Sequence, residues 1–268
     1  MELKLLKCDW GMEKYGEMPE RLKKYKEAGY DGIECANTGM DPQEFADITG
    51  ELGLDYVAMM FCDDEDAFRR QLDEIKTRSP ILINCHPGRD YFEFERGCEF
   101  FRNVMEMAKD VDCEVVYETH RTRCLYSPWA TAKYLDAIPE LHICGDFSHF
   151  TTVSEGDMDT IPVYREMMDK AIARTHHIHG RIGHSQGAQV PDPRTDICMR
   201  WTELYEGWWD RVIEHCRDEG REFVTFNAEF GPPTYQPFHP ETGEPLADIW
   251  EVCYWVTDRL RKRWEGKL

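Results

Sequence analysis

Short apolar runs ending in a polar or charged residue recur along the chain, each followed by a longer segment whose apolar positions repeat with helical period. The runs lie near residues 3–8, 31–35, 56–61, 81–86, 114–118, 141–146, 176–180 and 222–229 and read as β-strands. Some of the intervening segments carry clear start signals. Asp41-Pro42-Gln43-Glu44 supplies a cap, a proline at the first helical position and a carboxylate three residues on, and Ser127-Pro128 opens a helix to about residue 138 in the same way. Further helices are predicted over 201–218, ending at Gly220, and over 246–264. Strict strand–helix alternation without a break in composition predicts a parallel sheet, and eight repeats predict that it closes. The expected fold is a single α/β domain over residues 1–268, a (β/α)₈ TIM barrel, with no internal repeat, linker or low-complexity tract.

Alternation within the strands assigns faces. If Glu229 points into the barrel, so do Asn227 and Thr225, while Ala228, Phe226 and Val224 face the surrounding helices. The same parity turns His86, Asn84, Glu118, Asp146 and Glu34 inward and leaves Ile83, Cys85, Tyr117, Ile143 and Ile33 outside. Inward positions become polar toward the C-terminal rim, where barrel enzymes keep their chemistry.

Glu118, Asp146, His179 and Glu229 thus come from four consecutive strand ends. A single inward acid is most simply a salt-bridged core carboxylate. Three acids and a histidine with one facing instead predict a shared divalent cation, with Mn²⁺ first and Mg²⁺, Co²⁺ or Zn²⁺ as alternatives. His179 is preferred to His177 because it stands two residues nearer the rim. His177 is expected to be a hydrogen-bonded barrel-core residue and His176 an outward structural one. His149, three residues after Asp146, is expected to fold back from a loop over the metal or substrate. His86 and Glu34 read as substrate-binding residues or as polar core, with a second metal also open for His86. Trp10 and Phe61 close the first and third strands, where they either stack on a sugar ring or simply pack.

Composition narrows the partners. The formal charge of −20, from 52 acidic against 32 basic residues, argues against nucleic acid. No apolar run approaches membrane-spanning length, and a cytoplasmic location without membrane association is expected. The 11 cysteines are scattered without a C-x-x-C pair, so neither a disulfide framework nor a structural zinc site is expected, and Cys8, Cys35, Cys85 and Cys144 read as apolar filling. Against this acidic background Arg89, Arg121, Arg123 and Arg181 all fall near the rim. Any that face the pocket would favour an anionic substrate, the others pairing with surface acids. Residues 183–193 are too many for a tight turn and read as a substrate-covering loop. The C-terminal helix, with Trp250, Tyr254 and Trp255, offers either a homo-oligomer interface or ordinary core packing.

The Glu, Asp, His and Glu at these four strand ends, with the Asp146-x-x-His149 step, resemble the xylose-isomerase-like barrel superfamily of sugar isomerases and epimerases. Ketose 3-epimerases of that group hold their metal with the same residue types in the same order. The resemblance covers nearly the whole chain by element order and implies metal-assisted proton transfer next to a carbonyl, through an enediolate, with Glu118 and Glu229 as paired base and acid. It also implies substrate contact by His149. The family's substrate-binding arginine after the strand-seven histidine has no counterpart at its usual spacing, where Ser185 stands; Arg181 is the nearest candidate. The first expectation is therefore a metal-dependent isomerase or epimerase acting on a sugar, sugar acid or sugar phosphate. A lyase on the same site, for example one eliminating from 3-keto-glycosides, is the alternative. A phosphodiesterase like endonuclease IV fits less well, because the charge is wrong and the third strand has no histidine, and a non-catalytic sugar-binding barrel remains.

Overall fold

The computed structural model describes residues 1–268. Eight parallel strands form one closed barrel in sequence order: β1 (Glu2–Cys8), β2 (Gly32–Cys35), β3 (Asp55–Cys62), β4 (Leu82–Pro87), β5 (Glu114–Glu118), β6 (Ile143–Gly145), β7 (Thr175–His179) and β8 (Phe223–Asn227). The barrel closes where β1 pairs with β8, from Glu2 opposite Phe223 to Leu6 opposite Asn227. Around it run α1 (Met18–Glu27), α2 (Pro42–Leu52), α3 (Glu65–Ile75), α4 (Phe94–Met107), α5 (Pro128–Ala137), α6 (Ser148–Val153), α7 (Pro162–Ile172), α8 (Asp196–Asp218) and α9 (Ile249–Trp264). The expected (β/α)₈ barrel is the observed fold.

The caps act as their chemistry requires. The Asp41 carboxylate accepts from the amides of Gln43 and Glu44, and the Ser127 hydroxyl from that of Ala130, so amides left free by the first turn are satisfied. Two starts differ from the sequence reading. Helix α8 begins at Asp196 rather than near 201, because its first turn leaves Ile197 in solvent and the apolar period starts later. Helix α9 begins at Ile249, where Asp248 caps it by accepting from Trp250 and Glu251. In β6 and β8 the predicted strands run too long, so Asp146 and Glu229 lie just past the ladder.

Burial follows the predicted parity. Outward residues such as Ile33, Ile83, Tyr117, Ile143 and Phe226 join a large core between strands and helices. Inside the barrel a second, small cluster of Leu6, Val57, Leu82, Val116 and Cys144 fills the lower layer. Above this apolar plug most inward positions are polar, with Cys8, Met59 and Phe61 the apolar exceptions on β1 and β3, which separates a part of the barrel that stabilises from a part that can react. All 11 cysteines are free thiols and 10 of them are buried, in keeping with their reading as filler.

Candidate metal centre and cavity

Glu118 ends β5, Asp146 follows β6, His179 ends β7 and Glu229 lies two residues beyond β8. Each offers a ligand atom, and these atoms lie within 4.8 Å of one another, all on buried side chains. The convergence depends on β7, where His177, His179 and Arg181 succeed one another on the inner face. Gly180 between them faces outward against Phe226, whose ring would stand 2.1 Å from a Cβ at that position. A side chain there would push β7 off the helix layer.

The orientation of His179 is fixed from below. Its Nε2 lies 3.0 Å from both oxygens of Glu34, leaving Nδ1 toward Glu229 (2.8 Å) and Glu118 (3.4 Å). A carboxylate behind an imidazole sets which nitrogen is free and makes that nitrogen a better donor to an ion. Of the two readings open for Glu34, substrate-binding and polar core, its contacts match the polar core, low in the cavity. Its carboxylate touches the cavity floor but is fully buried, and its oxygens are taken by Asn84, Asn227, His177 and His179. The cause is the stagger of a closed sheet: the end of short β2 stands level with His177, one layer beneath the rim. His177 bridges Glu34 and Thr225 and is the core histidine expected. His176 is not the outward residue expected: the β6–β7 register shifts by one residue there, and His176 turns to the barrel floor, bonded to Glu114 and packed on His142 (ring centroids 3.9 Å).

Arg181 is the only guanidinium inside the chamber, and it binds two of the four acids. Its Nε donates to Asp146 Oδ2 (3.0 Å) and its Nη2 lies 2.5 Å from Glu229 Oε2. Asp146 Oδ1 accepts from the Ser148 amide (3.0 Å) and hydroxyl (2.5 Å). Electrostatics follow from these contacts. Burial alone would raise every carboxyl, but the charges of His86 and His179 hold Glu118 well below its usual range, and Arg181 with His179 lowers Glu229. At Asp146 burial prevails and the carboxyl is raised, with the neighbouring acids adding to it against Arg181. Burial opposes protonation of His179, yet the surrounding acids raise it well above an ordinary imidazole. Without an ion, His179 and Arg181 therefore both bring positive charge to the chamber.

Polar atoms left without a hydrogen-bond partner test whether an ion fits. Glu118 Oε1, His179 Nδ1 and Glu229 Oε2 are all buried and unpartnered, as are both nitrogens of His149, His86 Nε2 and Arg181 Nη1. The contacts of Glu229 Oε2 with His179 and Arg181 are close enough for ion pairing but misaligned for hydrogen bonding. Orphaned groups of this kind are rare in folded proteins and mark a place where something else binds. Three carboxylates and one imidazole, with free ligand atoms on Glu118, His179 and Glu229, suit a hard or borderline divalent cation.

A cavity of about 460 Å³ opens above the cluster, and Trp10, Phe61, His86, His120, Arg181, Glu229 and Tyr235 are among its walls. Trp10, His86 and Arg181 thus line the cavity. His86 also approaches Glu118 Oε2 at 2.8 Å. His149 is not in the expected loop. Helix α6 starts directly after Asp146 and turns His149 under the strand end, where it is fully buried against His120 (ring centroids 4.1 Å) and 3.4 Å from Asp146. Burial keeps both rings neutral, lowering His120 to about 4 and His149 further. His120, rather than His149, faces the cavity. Sequence reasoning passed over His120 although the inward parity of Glu118 extends to it. It also missed Tyr235, which no periodic pattern announces. Residues 183–193 do not line the cavity. A short hairpin at His184 and Gly187 folds the segment, and buried Gln189 ties it to Gly231 and Gln236. Arg89 and Arg123 pair with Asp63, and Arg121 stacks on Tyr235. Trp250 packs among Tyr15, Tyr25 and Tyr30, which is core packing, while Tyr254 is partly exposed.

No protein-family model and no curated protein matches the sequence. Solved structures share its fold over nearly the whole length at low identity. A D-allulose 3-epimerase from Methylomonas sp., in complex with D-allulose, aligns with a TM-score of 0.63 at 14% identity over 98% of this chain and 97% of that one. A probable 3-DHS dehydratase, AsbF, involved in petrobactin synthesis in Bacillus anthracis, gives 0.63 at 15% over 97% and 99%. A sugar phosphate isomerase/epimerase from Parabacteroides distasonis gives 0.60 at 12% over 96% and 92%. No helix is long and apolar enough to cross a membrane.

Proposed function

We propose that the protein is a divalent-metal-dependent isomerase or epimerase that moves a proton next to a carbonyl of a small carbohydrate, a sugar, sugar acid or sugar phosphate. The observation that carries this reading is the meeting of Glu118, Asp146, His179 and Glu229 within 4.8 Å with unpartnered ligand atoms on three of them. A divalent ion held by these four, with Mn²⁺ the first candidate, would polarise the carbonyl and stabilise the negative charge that develops on its oxygen. Glu118 is held ionised and offers a free oxygen, so it can accept the proton. Glu229, across the cluster and on the cavity wall, is placed to return it. Return to the opposite face gives an epimer and return to the neighbouring carbon gives the aldose–ketose isomer. Trp10, Phe61 and Tyr235 offer apolar faces to a ring, His86 and His120 offer polar contacts, and Arg181 favours a substrate with an anionic group. The allulose-bound epimerase and the isomerase/epimerase of similar fold support a carbohydrate ligand.

A second reading, elimination from the same carbanion by a lyase, is supported by the dehydratase of similar fold. It needs the same base and differs only in the departing group. Solvent exchange separates these outcomes. Mn²⁺-loaded protein incubated in D₂O with a panel of ketoses, keto-acids and their phosphates is followed by NMR, with an EDTA control. Metal-dependent deuterium uptake next to the carbonyl, lost in Glu229→Gln, is the expected result. Loss of a substituent with an alkene formed would favour the lyase, and neither change with any compound at full metal occupancy would count against proton-transfer chemistry.

A further inference from the structure

An ion joining Asp146 to the buried oxygen of Glu229 meets oxygens that already have a cationic neighbour. Asp146 Oδ1 is committed to the Ser148 amide and hydroxyl, so Oδ2 is the oxygen left for an ion, and Arg181 Nε holds it at 3.0 Å. On Glu229 the buried unpartnered oxygen is Oε2, the one that faces His179 and the acid cluster, and Arg181 Nη2 stands 2.5 Å from it. Nε and Nη2 lie on one edge of a rigid planar fork, so a single guanidinium spans the gap between the ends of β6 and β8. The fork is also supported from elsewhere. Its centre lies 4.5 Å from the ring centroid of Tyr235 and 5.7 Å from that of Trp10, and Nη1 has no partner. The aromatic rings can keep the charge in the chamber after it leaves the acids.

We propose that Arg181 is a tethered competitor for the divalent ion. It neutralises Asp146 and Glu229 while the site is metal-free and gives those oxygens up when the ion enters. The inference rests on the reading of Glu118, Asp146, His179 and Glu229 as a metal site, and it adds a cost that the four ligands alone do not imply. Repulsion between a guanidinium and a divalent ion a few ångströms apart in a buried chamber is strong even after solvent screening. The affinity of the site is therefore set below what its ligands could give. Displacement leaves a charged fork on the cavity wall with Nη1 free, so the anion-binding capacity of the cavity appears together with the metal.

The test is the dissociation constant of Mn²⁺ for the full chain, measured by competition with a fluorescent chelator and by EPR of free Mn²⁺. Arg181→Met removes the charge and keeps an apolar side chain against Tyr235, and Arg181→Lys keeps the charge but cannot span two carboxylates. Competition predicts the order of affinity wild type, then Lys, then Met, with the Met variant at least ~10-fold tighter than wild type. It also predicts a lower melting temperature for the metal-free Met variant and a larger rise on adding Mn²⁺. Equal or weaker binding in both variants would mean that Arg181 clamps the ligands in place, and would overturn the proposal while leaving the metal site standing. If the Met variant does not fold, the order of wild type and Lys decides. Failure of every form, wild type included, to bind one equivalent of Mn²⁺ would overturn both this proposal and the metal reading beneath it.

Discussion

Strands β5 to β7 bring imidazoles and carboxylates together at both of their ends. Glu118, Asp146 and His179 meet Glu229 at the C-terminal rim, while Glu114, His142 and His176 meet Arg221 at the N-terminal floor, and each group places its candidate ligand atoms within 4.8 Å. Their balance of charge differs. At the floor one carboxylate serves three basic groups. Glu114 Oε1 receives His142 Nδ1 at 2.8 Å and His176 Nδ1 at 2.6 Å, and Oε2 receives Arg221 at 2.7 Å. Both oxygens are satisfied and the Glu114 charge is balanced by Arg221, which leaves no donor for a divalent ion. At the rim Glu34, Glu118, Asp146 and Glu229 surround His179 and Arg181, acid is in excess, and ligand atoms remain free. Proximity of ligand-type residues is thus shared by both ends, while unmet bonding capacity and net negative charge belong to one.

Replacing the matching glutamates is the strongest way to break this contrast. Glu118→Gln is expected to lower metal-dependent C–H exchange by about 10²–10⁴-fold, whereas Glu114→Gln, four residues earlier on the same strand, should leave it unchanged. Equal losses in the two variants would mean that the rim has no special role. A smaller effect is expected one layer down. Glu34→Gln should weaken Mn²⁺ binding by roughly 10–100-fold, the usual consequence of losing the carboxylate behind a metal-bound histidine. A chelator titration showing unchanged affinity would refute that assignment.

The floor should reveal itself in stability instead. Burial works to raise the Glu114 carboxyl, but hydrogen bonds from His142 and His176 and the charge of Arg221 outweigh it and hold the group far below its usual range. A depressed folded-state pKa contributes stability that is present above the unfolded carboxylate value and is lost as pH falls. Glu114→Gln is therefore expected to cost about 2 kcal/mol at pH 7. The wild type should lose this advantage as the pH drops below ~4.3, where the unfolded carboxyl takes up its proton. His176, kept neutral by burial despite Glu114, adds to the same trend because it resists protonation while folded. Melting curves of the two proteins between pH 7 and pH 3 decide the matter, and parallel curves would show that Glu114 is not the titrating partner.

Much of this was legible in the sequence because strands have a period of two. Once Glu229 was set inward, the same parity brought Glu118, Asp146 and the β7 histidines to one chamber, and the alternation of strands and helices closed the barrel around them. What stayed hidden depended on height and on return paths. Stagger lowered Glu34 beneath the rim, an immediate helix start carried His149 under His120, and Tyr235 reached the cavity from an irregular segment whose course no local pattern encodes. The grip of Arg181 on two acids was hidden for a different reason: spacing reports which face a side chain takes, not which partner it then finds.

Gly180 gives the site a heritable constraint. The one residue between His179 and Arg181 has no room for a side chain because Phe226 fills the space behind it, so the strand cannot drift in register by accepting substitutions there one at a time. The imidazole and the guanidinium beside it are locked in step, so under the competition proposed for Arg181 a descendant could alter its hold on an ion by exchanging Arg181 itself. On that proposal, affinity for metal would be retuned at a single codon while the donor atoms stay where they are.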